Sequence, residues 1–251
     1  MPETSRLSPL QRWRELGEGH SPLFSEPMIR VAFEHLGPAL GAGSTVLDPG
    51  CGLGPVGAVF HAHGARALGL DADRSALLAG RRRHPGPSRI AADQARLPLR
   101  AASVDAVYSF SSLQYSDRSQ VLAECRRALR PGGRLAIVEN LFGNPFARFG
   151  RWLRAVSRTP YPEHLTRRRH LRWSERTLFA QGFRDVRFET FHVLTPVLLA
   201  MDSMASEPVG RPGDSGWRAL YARLHRWDAA ILRRWPGASA AAWSVVVCAV
   251  R

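Results

Sequence analysis

Val46-Leu-Asp-Pro-Gly50-Cys-Gly-Leu-Gly-Pro55 decides how this chain is read, because a short apolar approach runs directly into a glycine-dense turn. Thr45, Val46 and Leu47 favour extended backbone, while Gly50, Gly52 and Gly54 let a ligand approach the main chain with no Cβ in the way. The stretch predicts a buried strand that ends in a ligand-binding loop. Loops of this composition hold nucleotide-like molecules.

Two ligand classes compete for the loop. Gly52-Leu-Gly54-Pro-Val-Gly57 has the G-x-G-x-x-G spacing of a dinucleotide site, with Asp71 where a ribose-binding acid would stand, about twenty residues further on. Asp48 opposes that reading: a carboxylate at the mouth of the loop repels a pyrophosphate and attracts a ligand that carries an ammonium and a sulfonium. The segment Val46-Leu-Asp48-x-Gly50-Cys51-Gly52-x-Gly54 resembles the first motif of the class I S-adenosylmethionine-dependent methyltransferases. A nicotinamide-dependent oxidoreductase using Gly52, Gly54 and Gly57 stays open as the alternative, as does a protein that binds S-adenosylmethionine without transferring its methyl group.

The resemblance runs from about Thr45 to Asn140, with its motifs in order. It implies an α/β fold built on a doubly wound, seven-stranded, mostly parallel sheet, with S-adenosyl-L-methionine as cofactor. Asp48, Gly50, Cys51, Gly52 and Gly54 would line the cofactor loop, and Pro55 to Ala65 would be the helix whose N-terminus points at it. Asp71, ending a strand from Ala67, would accept the ribose hydroxyls; its other reading is a cap for the helix that starts near Ser75. Asp93 and Gln94, ahead of Leu97-Pro98, match the segment that faces adenine, whose amino group needs an acceptor. Ser109 falls at the end of a strand from Val104 to Phe110, where the methyl-donor end of the cofactor would lie. Asp117 to Leu129 reads as a helix with capping-box spacing at its start, Pro131-Gly-Gly133 as its stop, and Arg134 to Val138 as the fifth strand.

Composition bounds the rest. A chain of 251 residues with 45% apolar content can bury one sizeable core, so one domain is expected: cover helices over 1–44, the cofactor-binding core over 45–140, and acceptor-pocket inserts with the last two strands over 141–251. The formal charge is +14, and every one of its 35 basic residues is Arg, a bias that a GC-rich genome also produces. Without a recognition module, that charge does not imply a nucleic-acid partner. Cys51, Cys125 and Cys248 show neither zinc nor disulfide spacing, so no metal is expected and a reducing cytoplasm fits. No secretory h-region and no apolar run of membrane-spanning length is present.

Ahead of the loop, Ser8 to Gly17 and Glu26 to Leu36 read as helices, the second with Ile29, Phe33 and Leu36 on one face and Ser25 as its cap. Trp13 either packs in the core or lines a pocket. Beyond Asn140, Ser174 to Gln181 reads as a capped helix, and Arg184 to Leu194 and Trp243 to Val250 as the last two strands, the final one antiparallel beside the fifth as the resemblance implies. The inserts at Leu141 to Arg172 and Thr195 to Ala242 would build a pocket for a small, apolar or aromatic, lipid-like acceptor. In the first, Phe146, Phe149, Trp152, Leu153 and Val156 share a helical side, with Arg148, Arg151, Arg154 and Arg158 mostly opposite. In the second, Leu220, Leu224, Trp227 and Ile231 oppose Arg218, Arg226 and Arg233. These faces either pack on the domain or touch an anionic membrane. Methyl transfer needs a base only if the acceptor must lose a proton. Glu139, ending the fifth strand, is the first candidate, followed by His170 and His164.

Overall fold

The computed structural model describes residues 8–16, 22–156, 169–198 and 215–251, with backbone alone at 14–16, 22–23, 153–155 and 215. Helices α1 (Pro9–Leu16) and α2 (Pro22–Leu36) precede β1 (Thr45–Pro49), and α3 (Pro55–Ala62), β2 (Arg66–Asp71), α4 (Arg74–Arg83) and β3 (Ser88–Ala91) follow. Next come β4 (Val104–Phe110), α5 (Arg118–Ala128), β5 (Leu129–Asn140), α6 (Pro145–Val156), β6 (Arg184–Phe191), α7 (Ser215–Arg234) and β7 (Ser244–Val250). The seven strands pair in the order β3-β2-β1-β4-β5-β7-β6. The pairs β3/β2, β2/β1, β1/β4 and β4/β5 are parallel. At one end of the β5/β7 ladder Gly132 N donates to Arg251 O; at the other Leu141 N donates to Trp243 O, so β7 runs antiparallel to β5.

Strands covered on both faces read as continuous apolar runs, and Leu135 to Val138 in β5 and Val245 to Val247 in β7 are buried without alternation. On one face of the sheet Tyr108 packs with Phe60 of α3 and Phe33 of α2, at ring centroid separations of 5.8 and 6.2 Å. Chain punctuation is local chemistry. Gly54 sits at φ 70°, and Pro55, with its φ already set, opens α3 directly after it. Asp73 and Asp117 cap α4 and α5, each accepting from the backbone amides of the second and third residues of its helix.

Several boundaries move. α2 begins at Pro22, a turn before the expected start, so Ser25 lies inside the helix and is buried rather than capping it. Pro131-Gly-Gly133, expected as the stop of the helix before a strand from Arg134, lies inside β5 as an irregularity: α5 ends at Ala128, β5 starts at Leu129, and the register against β4 jumps from Val104↔Leu129 to Ala106↔Arg134. The helix expected from Ser174 is a 3-10 turn at Trp173–Arg176 followed by one helical turn at Thr177–Ala180, and Glu175 reaches back to accept from Arg172 N at 2.7 Å.

The chain divides into two compact units, one of Met1–Glu139, Arg176–Phe188 and Val246–Arg251, the other of Asn140–Glu175 and Glu189–Val245. In the second unit, α7 is fastened by its polar side. Buried Asp228 accepts from Leu194 N at 2.6 Å and from the Thr195 hydroxyl at 2.9 Å, and Tyr221 O–H lies 3.3 Å from His192 Nε2. Leu224 and Ile231 are half-buried, whereas Leu220 and Trp227, expected on the same face, are exposed. The rotation of α7 follows its polar anchors, not its apolar period.

Candidate functional site

The turn after β1 is held from below. Gly50 N and Cys51 N both donate to Leu70 O of β2, at 2.6 and 3.0 Å. Asp71 accepts from Gly52 N at 2.7 Å through one carboxylate oxygen and from Asp73 N at 2.9 Å through the other. The helix cap is therefore Asp73, and Asp71 ties the second strand to the glycine loop while each oxygen keeps a further lone pair. Gly50 stands at φ 73°, and a Cβ there would lie 2.3 Å from Ser112 Cβ, so the position excludes any side chain. The far side of the loop is clasped by Arg89, whose guanidinium donates to the carbonyls of His84, Pro87 and Leu53.

Above the loop, a cavity of about 140 Å³ opens at the carboxyl ends of β1 and β4. Strand ends at this reversal of strand order are where open α/β sheets bind ligands. Its lining includes Trp13 of α1, Ser25 and Ile29 of α2, Asp48, and Tyr108 and Phe110 of β4. Register explains one juxtaposition: Leu47 pairs with Val107, so Asp48 and Tyr108, the next residues, project from the same face. Asp48 is buried, and among the described residues no hydrogen-bond donor reaches its carboxylate. Its pKa is pushed up to about 8, first by burial and then by the charge of Asp71, against a smaller opposing effect of Arg89. Burial and the Asp48 charge likewise raise the Tyr108 phenol, which stays protonated.

The other predicted residues fall into distinct roles. Cys51 is part of the cavity wall, its thiol raised by burial and by Asp48, which makes it a packing group and not a nucleophile. Asp93 is exposed and accepts from Ala95 N at 2.9 Å. Gln94 and Ser109 belong to a buried network. Gln94 Nε2 donates to Ser112 O at 2.9 Å and to Ser116 Oγ at 2.8 Å, and Ser112 Oγ donates to Gln94 Oε1 at 3.0 Å. Ser109 Oγ is 2.6 Å from Ser112 Oγ, and Ser112 Oγ is 3.0 Å from Pro49 O. The network closes the loop end of β1 onto the residues after β4. Glu139, at the end of β5, is buried and accepts from Leu113 N at 2.7 Å; it is not among the cavity walls. In the second unit, His170 is half-buried with its ring 6.3 Å from that of Trp243. His164 and Arg158 lie outside the described residues, as do the side chains of Leu153 and Arg154. Among the described residues, no group of three or more His, Cys, Asp or Glu is placed to hold a metal ion.

Sequence reasoning missed Ser25, Ile29, Val56 and Ser112. Ile29 reads as core at helical spacing, and nothing in that period distinguishes a core position from a cavity wall. Ser112 carried a signal in the loop itself, because an invading neighbour is one reason for a glycine at position 50.

Comparison with known proteins follows the same residues. Residues 47–137 match the family model described as a methyltransferase domain. A malonyl-[acyl-carrier protein] O-methyltransferase of Methylococcus capsulatus is 32% identical over 70% of this chain and 60% of its own length. A demethylmenaquinone methyltransferase of Renibacterium salmoninarum is 36% identical over 51% of this chain and 52% of its own. The chain thus spans less than two thirds of the curated relatives it matches. A solved geranyl diphosphate methyltransferase in complex with S-adenosylmethionine superposes with a TM-score of 0.57 at 22% identity, over 94% of this chain and 93% of that one, a likeness of fold. The loop and the strands of residues 47–137 thus carry the methyltransferase-domain match, and over that segment the chain is similar to S-adenosylmethionine-dependent methyltransferases.

Proposed function

We propose that this protein transfers the methyl group of S-adenosylmethionine to a small, apolar or aromatic acceptor of lipid-like character. The observation that carries the proposal is the cavity beside the glycine loop: a buried carboxylate with no donor among the described residues, walled by Trp13, Ile29, Tyr108 and Phe110. A buried anion in apolar surroundings favours a cationic ligand, and a pyrophosphate would meet it with like charge. When bound, the cofactor supplies an electrophilic methyl group on a sulfonium.

The chain's own residues then bind and position. Asp48 attracts the cationic end, and Gly50, Cys51, Gly52 and Gly54 let it lie against backbone. Asp71 would accept from the ribose and Asp93 from the adenine amino group, while Gln94 and Ser109 hold the loop end of β1 in place. The aromatic walls seat the acceptor and exclude water, so that orientation supplies most of the acceleration. Where the acceptor must lose a proton, Glu139 or His170 would have to take it, neither of which is among the cavity walls. Two relatives are named for a malonyl carrier and a demethylmenaquinone; the apolar walls favour an acceptor of the latter, apolar kind. Residence in the cytoplasm with peripheral contact at an anionic membrane belongs to the same reading. Among the described residues no helix is long and apolar enough to cross a membrane.

The test is calorimetry with S-adenosylhomocysteine and with NAD, followed by labelled S-adenosylmethionine and a lysate fractionated into lipid, small-molecule and RNA pools. Binding of S-adenosylhomocysteine alone and label in the lipid or small-molecule pool are expected. Tight NAD binding, or label confined to RNA, would overturn the proposal.

A further inference from the structure

Helix α6 turns outward the face that its sequence period would send inward. Asn144 fixes the rotation. Its Oδ1 accepts from Ala147 N at 2.9 Å, and its Nδ2 donates to Val193 O at 2.9 Å and Ala241 O at 2.8 Å, so the Asn144 and Ala147 side is the buried one. Phe149, Trp152 and Val156 then follow one another on the outside at spacings of three and four, 57%, 59% and 60% exposed. The rings of Phe149 and Trp152 stack with centroids 5.7 Å apart. In the same unit Phe142, 43% exposed, has the guanidinium carbons of Arg148, Arg151 and Arg172 at 5.8, 5.4 and 5.9 Å from its ring centroid. Arg172 arrives from a different segment, placed there by the Leu171↔Leu141 bridge.

Single exposed apolar residues are ordinary, but an aromatic stripe accompanied by a knot of arginines calls for a partner that satisfies both. A second copy would bring arginine against arginine. A nucleic acid would take the charge and leave Val156 and the outer ring faces in water. The interface of an anionic bilayer accepts rings at the acyl boundary and guanidinium groups among the phosphates. We propose that α6, with Phe142 and Arg172, is a docking face for an anionic lipid surface. The proposal gives a place to the peripheral contact of the functional reading above, and it rests on that reading only for its biological purpose, because vesicle binding is measured without turnover.

The full chain is sedimented with vesicles of phosphatidylcholine alone and with added phosphatidylserine. Retention is expected on the anionic vesicles at low salt, with release once the screening length falls to about 8 Å near physiological ionic strength. Changing Arg148, Arg151 and Arg172 together to Gln should weaken partitioning roughly a hundredfold, at about fivefold per arginine. Phe149→Ser with Trp152→Ser should abolish retention although every arginine remains, which separates ring insertion from plain ionic adsorption. Both variants should keep the wild-type melting temperature and S-adenosylhomocysteine affinity, since these residues are exposed, or half-buried in the case of Arg151, and none lines the cavity. The proposal is overturned by no retention at low salt, by retention that survives loss of both rings, or by a dimer that the Phe149/Trp152 variant converts to monomer. Vesicle binding by a protein that ignores S-adenosylhomocysteine would sink the methyltransferase reading and leave the docking face standing.

Discussion

Binding of S-adenosylhomocysteine should expel a proton from Asp48. The carboxyl is buried beside the glycine loop with a pKa pushed up to about 8, so at pH 7 only about a tenth of the free protein carries the anion. A ligand ammonium selects that tenth and holds it. If the bound protein keeps Asp48 ionised down to pH 6, apparent affinity should rise roughly fiftyfold from pH 6 to pH 8, following the ionised fraction. Close to one proton should leave per ligand at pH 7. Calorimetry in buffers of different ionisation enthalpy reads that proton as the slope of observed heat against buffer heat. Asp48→Asn should flatten the pH profile and weaken binding at pH 8 by about 1.5 to 3 kcal/mol, the usual worth of a hydrogen bond to a charged group. The sign for folding is opposite. A native pKa above the usual 3.8 stabilises the ligand-free fold at low pH, and that contribution is lost as pH rises toward 8, so Asp48→Asn should melt higher than wild type at pH 8. Buffer-independent heats together with an affinity flat between pH 6 and 8 would refute the charge argument and leave Asp48 as a packing residue.

The remaining expectations use other residues. His192, buried against Tyr221 and Ser244, has its pKa lowered to about 3 by burial and then by His225, whereas the unfolded chain takes the proton near 6.5. The His192 contribution to stability should therefore fall as pH drops below 6.5, by about 2 kcal/mol between pH 7 and 5, and it is read as the difference between wild type and His192→Gln in urea titrations at both values, the Asp48 contribution of opposite sign being common to the two. Gly50→Ala forces a Cβ to 2.3 Å from Ser112 at φ 73° and should cost at least about 1 to 3 kcal/mol in strain, seen as a lower melting temperature with loss of S-adenosylhomocysteine binding; an unperturbed melt would mean the loop yields freely. Asp71→Ala removes the acceptor of Gly52 N and should weaken S-adenosylhomocysteine by roughly 1 to 3 kcal/mol, an unchanged affinity reducing Asp71 to a loop tie alone.

What could be read from the sequence was whatever a few neighbouring residues settle among themselves. Glycines at positive φ, Asp117 two and three residues ahead of the amides it caps, and an apolar run entering a glycine turn are complete physical statements within a dozen residues, and they carry most of the sheet with them. The network from Pro49 through Ser109 and Ser112 to Gln94 was hidden because its members converge only after three strands have paired. Helix orientation was hidden for another reason. An amphipathic period gives the width of an apolar face and says nothing of its direction, and in both α6 and α7 a single buried polar residue sets that direction instead. Asn144 satisfies backbone carbonyls at Val193 and Ala241, and Asp228 satisfies the amide of Leu194; leaving such groups unpaired in the interior would cost about 1 to 3 kcal/mol each, comparable to burying one aromatic ring. Because the polar anchor also fixes geometry, which hydrophobic burial alone does not, it prevails where the two conflict. The rings of Phe149, Trp152 and Trp227 consequently stay in water, and Arg223 of the same helix lies over Trp227.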